Sequence, residues 1–229
     1  MAGNVSPHGY KVLAPPIYAL AVMGRNDCNV APFLQHTKCS LSCSVRGDHF
    51  PGTEEQIVMV QASSAESLFA GVQMIVQTLK EVPPQGMNGE YRLRVIFPQQ
   101  CAQLVNGRSG EGINQLISST GVKAVIEPKT YCGAGPEADQ LVAFSGALDR
   151  IQAAVKSTIQ YINQARSYPW WATWLARPNS ERVAEASMAG LGMTMGCGLH
   201  NMQGVLGMPS MPMPGMLGMG GCMGNMGNM

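Results

Sequence analysis

The feature of this sequence that most restricts its fold is an internal repeat with a period of 83 residues. Between residues 10 and 37, seven of 28 positions carry the same amino acid as the position 83 residues further on. Chance at ordinary composition would give roughly two. The matches include Val12 with Val95 and Gly24-Arg25 with Gly107-Arg108. A solenoid unit is shorter, roughly 20–50 residues, so the repeat predicts two copies of one domain within the first 166 residues.

The second copy carries the clearer pattern of local structure. Alternating apolar residues predict strands over 91–97, 122–126 and 140–144. Apolar residues at helical spacing predict a short helix over 101–105, a second from about Gly110 to Gly121, and a long third over 147–164. The order is β-α-α-β-β-α. It predicts an α+β fold in which each copy has a three-stranded antiparallel sheet packed on three helices.

The composition of the chain changes sharply near residue 180. The stretch Ala186–Met229 has no Lys, Arg, Asp or Glu, and it holds 12 of the 17 methionines and 12 of the 27 glycines. Glycine raises the entropic cost of ordering and proline breaks helices and strand ladders. We therefore expect residues 180–229 to be a disordered tail. It is either a low-complexity extension or a sticky segment for self-association or partner binding.

A glycine-flanked turn joins the first two predicted helices of the second copy. The stretch Leu104-Val-Asn-Gly-Arg-Ser-Gly-Glu-Gly-Ile-Asn-Gln-Leu116 has an apolar pair, G-x-x-G, two further residues and an apolar residue. In this strand and helix order it resembles the eukaryotic type I K-homology (KH) domain of poly(C)-binding and Nova-like proteins. Asn106 departs from the family pattern, which usually has Ile there. The resemblance covers residues 91–166 and, through the repeat, 10–82.

The resemblance implies a tandem KH protein that binds single-stranded RNA or DNA, with about four nucleotides held by the loop. The organisation that follows is a KH-like domain at 8–82, a linker at 83–90 and a KH domain at 91–166. A Trp-rich extension at 167–179 and the tail complete the chain.

Each residue of the second loop suits a contact with a nucleic-acid backbone. Glycine at 107 and 110 lets that backbone approach without a Cβ in the way, Arg108 offers charged donors to phosphate, and Ser109 offers a hydroxyl. The start of the following helix presents amide N–H groups. Apolar residues beside the loop are expected to form a shallow groove for bases, and Lys123 is expected to read base edges. The predicted RNA-binding residues are Gly107, Arg108, Ser109, Gly110, Val105, Ile113, Val122, Lys123, Ile126, Gly24 and Arg25.

The first copy departs from the loop pattern because it reads Gly24-Arg-Asn-Asp27. A carboxylate at Asp27 faces the expected place of a phosphate, which is unfavourable, although Asp is a good N-cap for the next helix. The first copy has five basic and six acidic residues, and the second has eight and six. We expect the second copy to carry most of the RNA affinity and the first to be either a weak binder or a packing and dimerisation module.

Composition and motifs exclude several other classes of function. A net charge of +1 excludes a polybasic protein that binds nucleic acid by charge alone. We find no apolar run long enough for a membrane helix and no secretion signal, so the seven cysteines are expected to be reduced thiols in the nucleus or cytoplasm. No catalytic, metal or cofactor motif is recognisable. Cys39 and Cys43 are interpreted as core residues.

The expected function is non-enzymatic, sequence-selective binding of single-stranded RNA, in mRNA splicing, stability or translation. The alternative is a protein-interaction scaffold that uses the Met-rich tail and the cluster of Trp170, Trp171 and Trp174. That cluster is either a cap that folds back on the second copy, or a docking surface for protein partners or an extra platform on which bases stack.

Overall fold

The computed structural model describes residues 7–84 and 89–177, all of which belong to one compact unit. The predicted tail at 180–229 lies outside the described residues, as do residues 85–88 of the predicted linker. Within the first half, Pro15 precedes the first helix and Ser64 caps the third by accepting a hydrogen bond from Ser67 N. The elements of this half are β1 (His8–Ala14), α1 (Pro16–Met23), α2 (Val30–Thr37), β2 (Cys39–Cys43), β3 (Gln56–Ala62) and α3 (Ala65–Gln77).

The second half repeats the order of the first. Its elements are β4 (Tyr91–Pro98), α4 (Gln99–Asn106), α5 (Glu111–Thr120), β5 (Lys123–Thr130), β6 (Asp139–Gly146) and α6 (Leu148–Ala165), and a short helix α7 (Trp171–Ala176) follows. The predicted strands and helices of residues 91–166 are therefore present, with ends shifted by a few residues. The helix after the glycine turn begins at Glu111 with Gly110 at its N-cap.

The two halves share one antiparallel sheet, which differs from the expected pair of separate three-stranded sheets. Its order is β2-β3-β1-β4-β6-β5, so β1 and β4 join the halves. Val12 lies opposite Val95, its own equivalent in the repeat. An antiparallel pairing of equivalent residues places an approximate two-fold axis between them. The edge strands β2 and β5, which follow the two glycine turns, therefore lie at opposite ends of the sheet.

The main core lies between the helices and one face of this sheet. Tyr10 and Phe97, from the joining strands β1 and β4, meet edge to face with ring centroids 5.8 Å apart. Helices α3 and α6 pack against each other over the same junction. The halves are thus joined both by strand pairing and by helix packing, and neither half has a separate core.

Helix α7 covers the opposite face of the sheet at the junction. Lys11, whose side chain alternates with that of Tyr10, is buried and donates from Nζ to the Trp174 carbonyl at 2.6 Å. Trp174 Nε1 donates to Asp139 Oδ1 of the second half at 2.8 Å. Trp171 is fully buried and donates to the Pro7 carbonyl. Trp171 and Trp174 therefore act as a cap, which is one of the interpretations of the Trp cluster. This cap contacts both halves and not only the second copy.

A second polar contact crosses the junction on that face. Arg94 forms an ion pair with Glu55 of the first half and another with Glu127, in which Nη2 lies 3.2 Å from Oε1. Tyr131 OH donates to Glu127 at 2.8 Å. Burial raises the pKa of Glu55, while the neighbouring Arg94 guanidinium opposes that rise. In the described part of the chain no helix has the length and apolar character needed to span a membrane.

Candidate nucleic-acid interface

The first glycine of the Gly107–Gly110 loop is required by sterics. Its φ is +69°, in the left-handed region, and an added Cβ would lie 2.6 Å from the amide nitrogen of Gly112. Gly112 is itself required, because a Cβ there would lie 2.6 Å from the Val105 carbonyl oxygen. Helices α4 and α5 therefore approach closely through two glycines. Sequence reasoning identified Gly107 but missed Gly112, although a glycine in the first turn of a helix indicates a packing requirement.

The rest of this loop faces open space. Ser109 and Gly110 have φ values of +52° and +86°, and a Cβ on Gly110 would come no nearer than 4.0 Å to its closest neighbour, Asn114. Arg108 and Ser109 are exposed. The loop therefore presents a cation, a hydroxyl and bare backbone at the start of α5, the chemistry that suits a sugar-phosphate chain.

Two residues predicted to line the groove belong to the core. Val105 and Val122 are 2% and 1% exposed, so almost none of either side chain is available to contact a base. Their strand and helix positions turn them toward the interior between the sheet and the helices. Ile113 and Ile126 are half-buried beside that core, where part of each side chain remains accessible.

Lys123 is the first residue of strand β5, at the edge of the sheet. It occupies the row of β5 that alternates with the buried Val122 and Ala124, so its side chain points away from the helices. Its Nζ is 2.8 Å from Glu90 Oε1, and the side chain is 67% exposed. The expected contact of Lys123 with base edges stays a prediction, and in this structure the ammonium group pairs with Glu90.

The first loop has the same backbone shape with different side chains. Gly24, Asn26 and Asp27 have φ values of +76°, +52° and +58°. Gly24 has φ +76° and ψ 170°, a backbone conformation that is essentially restricted to glycine, and a Cβ there would lie 2.5 Å from the side-chain Sγ of Cys28. Arg25 is exposed, as Arg108 is in the second loop.

Asp27 is not an N-cap, contrary to the prediction. Helix α2 begins at Val30 with Asn29 at its N-cap. The Asn29 amide donates to the carbonyls of Ala21 and Val22 at 3.1 and 3.3 Å, which ties the end of α1 to the start of α2. In the first half the Asn29 amide thus holds the two helices together, whereas in the second half the two helices are held by close packing at Gly112. Asp27 is left exposed at the tip of the loop.

A groove of about 940 Å³ lies beside the first loop, between α1 and β2. Its walls include the exposed apolar side chains of Ile17, Leu20 and Val45. Asp27 and Arg46 are the charged residues that line it. Sequence reasoning did not identify this surface. The apolar residues Ile17 and Leu20, which stand where the second half has Gln100 and Gln103, were the available signal.

The cysteines of the described residues carry no sign of a metal or disulfide site. No group of three metal-ligating side chains occurs within 7–84 and 89–177, and Cys28, Cys39, Cys43 and Cys101 are free thiols. Cys39 is buried, as predicted for a core residue. Cys43 is half-buried and lines the groove of the first half, where burial and the Asp27 carboxylate raise its pKa to about 11.

A segment of the second half matches a known domain family. Residues 92–160 match the KH domain family. The chain is 24% identical over 182 residues to human RNA-binding protein Nova-2, covering 71% of this chain and 36% of that protein. It is 22% identical over 130 residues to RNA-binding protein Pasilla of Drosophila melanogaster, covering 52% of this chain and 16% of that protein. The chain thus spans about a third or less of these relatives.

A solved structure titled as an a/eIF2alpha-aDim2p-rRNA complex from Pyrococcus horikoshii is also similar, at 13% identity. The aligned region covers 76% of this chain and 95% of the chain in that structure. Its TM-score is 0.25, so this likeness carries no argument about fold or function. The sequence match and the loop geometry together show that the chain contains a KH domain at residues 92–160, with weak similarity to the RNA-binding proteins Nova-2 and Pasilla.

Proposed function

We propose that this chain binds single-stranded RNA through the KH domain at residues 92–160, mainly at the Gly107–Gly110 loop. The observation that carries the proposal is the loop itself, in which exposed Arg108 and Ser109 stand beside open backbone at the start of α5. The names of Nova-2 and Pasilla, which are RNA-binding proteins, support this class of ligand. We propose mRNA as the target, in post-transcriptional regulation in the nucleus or cytoplasm.

We further propose that the first half is a KH-like copy and contributes less affinity. It repeats the order of elements and the backbone of the loop, but it places Asp27 where the second loop has Gly110. Its charge balance of five basic and six acidic residues also disfavours a polyanion. The predicted domain boundaries at 8–82 and 91–166 belong to the same proposal.

The test uses a matched pair of charge changes in the full chain, because the shared sheet argues against separating the halves. Arg108→Asp with Ser109→Asp and Arg25→Asp with Asn26→Asp alter the net charge equally. Residues 26 and 109 have the same φ of +52°, and Asp tolerates this left-handed value. We expect the change in the second loop to weaken retention of a random single-stranded RNA library at least about tenfold, because charge-assisted hydrogen bonds are lost.

The matched change in the first loop should leave RNA retention within about twofold, since few favourable phosphate contacts exist there to lose. Thermal unfolding of both variants checks that the fold is intact. Equal retention by wild type and the second-loop variant would overturn the proposal, as would a larger loss in the first-loop variant.

The scaffold alternative loses part of its basis in the structure. Trp171 and Trp174 are fully buried, so they offer no docking surface. The apolar groove of the first half is the observation that still favours a protein ligand. If wild type retains no RNA in the same assay, this alternative is favoured.

A further inference from the structure

The two glycine turns of this molecule differ in chemistry at one structurally equivalent position. Their φ values agree at the first residue (+76° and +69°), at the third (+52° in both) and in sign at the fourth (+58° and +86°). The fourth residue is Asp27 in one loop and Gly110 in the other. Asp is among the few non-glycine residues that occupy left-handed backbone readily, so the substitution keeps the loop shape.

The side chain at this fourth position projects into the space that a ligand would use. At Gly110 a Cβ would meet nothing within ordinary contact distance except Asn114 Nδ2 at 4.0 Å. Asp27 is exposed and lines the groove of the first half. Its carboxylate also contributes to the raised pKa of Cys43, another residue of that groove, so its charge acts on the groove interior.

The groove beside Asp27 otherwise suits a single-stranded nucleic acid. Ile17 and Leu20 are each 54% exposed and Val45 is 76% exposed, and together they offer an apolar surface to the faces of bases. Arg46 supplies a cation at the rim. Arg25 adds a second exposed cation on the loop.

From these observations we propose that Asp27 is a specificity-determining residue whose negative charge keeps RNA out of an otherwise competent groove in the first half. This inference rests on the proposed function of the second half. Two carboxylate oxygens at the loop tip repel the phosphates that Gly110 admits in the other loop. Neutralising one side chain should therefore create a second site for single-stranded RNA.

The experiment places Asp27→Asn and Asp27→Gly in the full chain that carries the Arg108→Asp and Ser109→Asp changes. The second loop is then inactive, so any recovered binding comes from the first half. Asn keeps the size and left-handed tolerance of Asp but removes its charge, and Gly restores the bare backbone. Both variants should retain a random single-stranded RNA library at least about fivefold better than their parent. The gain should grow as the ionic strength is lowered.

Glu81→Gln is the matched control, because Glu81 is an exposed acid of the same half and its loss changes net charge equally. The inference is overturned if neither Asp27 variant gains binding, if only Asp27→Gly does, or if Glu81→Gln gains as much. Failure of the proposed function shows separately, as undiminished RNA retention in the parent with the inactive second loop. Thermal unfolding should place all the variants close to that parent, because both replacements at Asp27 suit positive φ.

Discussion

The two loops of this molecule separate what a fold requires of a glycine from what a ligand requires. Gly24 and Gly107 both have positive φ with extended ψ, which essentially only glycine adopts, and a Cβ on Gly107 would also collide with the backbone of the next helix at Gly112. Asp27 and Gly110 occupy the same left-handed backbone with open space beside them. Folding therefore constrains the first glycine of each loop strictly and the last only through φ. Divergence at the last position can change binding while the architecture stays the same.

The two halves also reach the same helix geometry by different means. Where α5 approaches α4 through Gly112, the first half places Asn29, whose amide bonds to two carbonyls of α1. Where Gly121 ends α5 at a φ of +68°, Lys38 ends α2 at +60°. In the second half glycine meets each requirement. In the first half, the Asn29 side chain meets the requirement at the helix start and a strained backbone at Lys38 meets the requirement at the helix end.

The largest expected effect tests whether the halves are stabilised as one unit. Trp174→Ala removes a fully buried side chain that hydrogen-bonds to Asp139 of the second half and covers Lys11 of the first. We expect a loss of about 3–5 kcal/mol in the free energy of unfolding, measured with urea. Both halves should unfold in one transition in the wild type.

Trp170→Ala is the control for this change, because Trp170 is only half-buried and stacks on Tyr168. It should cost much less than Trp174→Ala. Two resolved transitions in wild type, or equal costs for the two tryptophans, would contradict the view that α7 joins the halves.

The next effect concerns the ion pairs across the junction. Arg94→Met removes the cation between Glu55 and Glu127, whose side chains are 14% and 26% exposed. We expect a loss of about 2–3 kcal/mol near neutral pH, because a half-buried carboxylate loses its partner. Without Arg94 the pKa of Glu55, already raised by burial, should rise further.

The sign of the pH dependence follows from that rise. A carboxyl whose pKa is higher in the folded than in the unfolded state stabilises the fold when protonated and loses this contribution as pH rises. The deficit of Arg94→Met should therefore shrink as the pH falls from about 7 to about 5. Urea titrations of wild type and Arg94→Met at several pH values measure this deficit. A deficit that grows on acidification would show that titration of Glu55 does not cause the pH dependence.

A third prediction compares the two glycines of the second loop. Gly107→Ala places a Cβ 2.6 Å from a backbone nitrogen and should cost about 2 kcal/mol or more. Gly110→Ala meets no such contact and should cost about 1 kcal/mol, from positive φ alone. Chemical denaturation of both variants gives the two costs. Equal costs would mean that the loop relaxes around the added methyl group and that the steric argument for the first glycine is incorrect.

Local patterns in the sequence predicted the elements well and their assembly less well. Alternation in β4 and helical spacing in α6 are local signals, and both elements are present. The pairing of β1 with β4 depends on two strands far apart in sequence, and no local signal encodes it. For the same reason the direction of Lys123 and the burial of Val105 could not be obtained from residue type. Both depend on which face of an element meets the helices.

The smallest expected effect concerns the residue that ends α2 and its equivalent that ends α5. Lys38 adopts a φ of +60° and its side chain is exposed, so no packing compensates for the left-handed backbone. Gly121 meets the same requirement without strain. Lys38→Gly should therefore stabilise the protein by about 0.5–1 kcal/mol, because relief at the C-terminal cap exceeds the added entropy of the unfolded chain. Lys80→Gly in the short helical turn Thr78–Glu81 has no left-handed strain to relieve and should destabilise. The Nζ of Lys38 donates a hydrogen bond to the Gln35 carbonyl at 3.1 Å. If both lysine variants lost stability in urea titrations, this hydrogen bond would stabilise the protein by more than the left-handed backbone of Lys38 destabilises it.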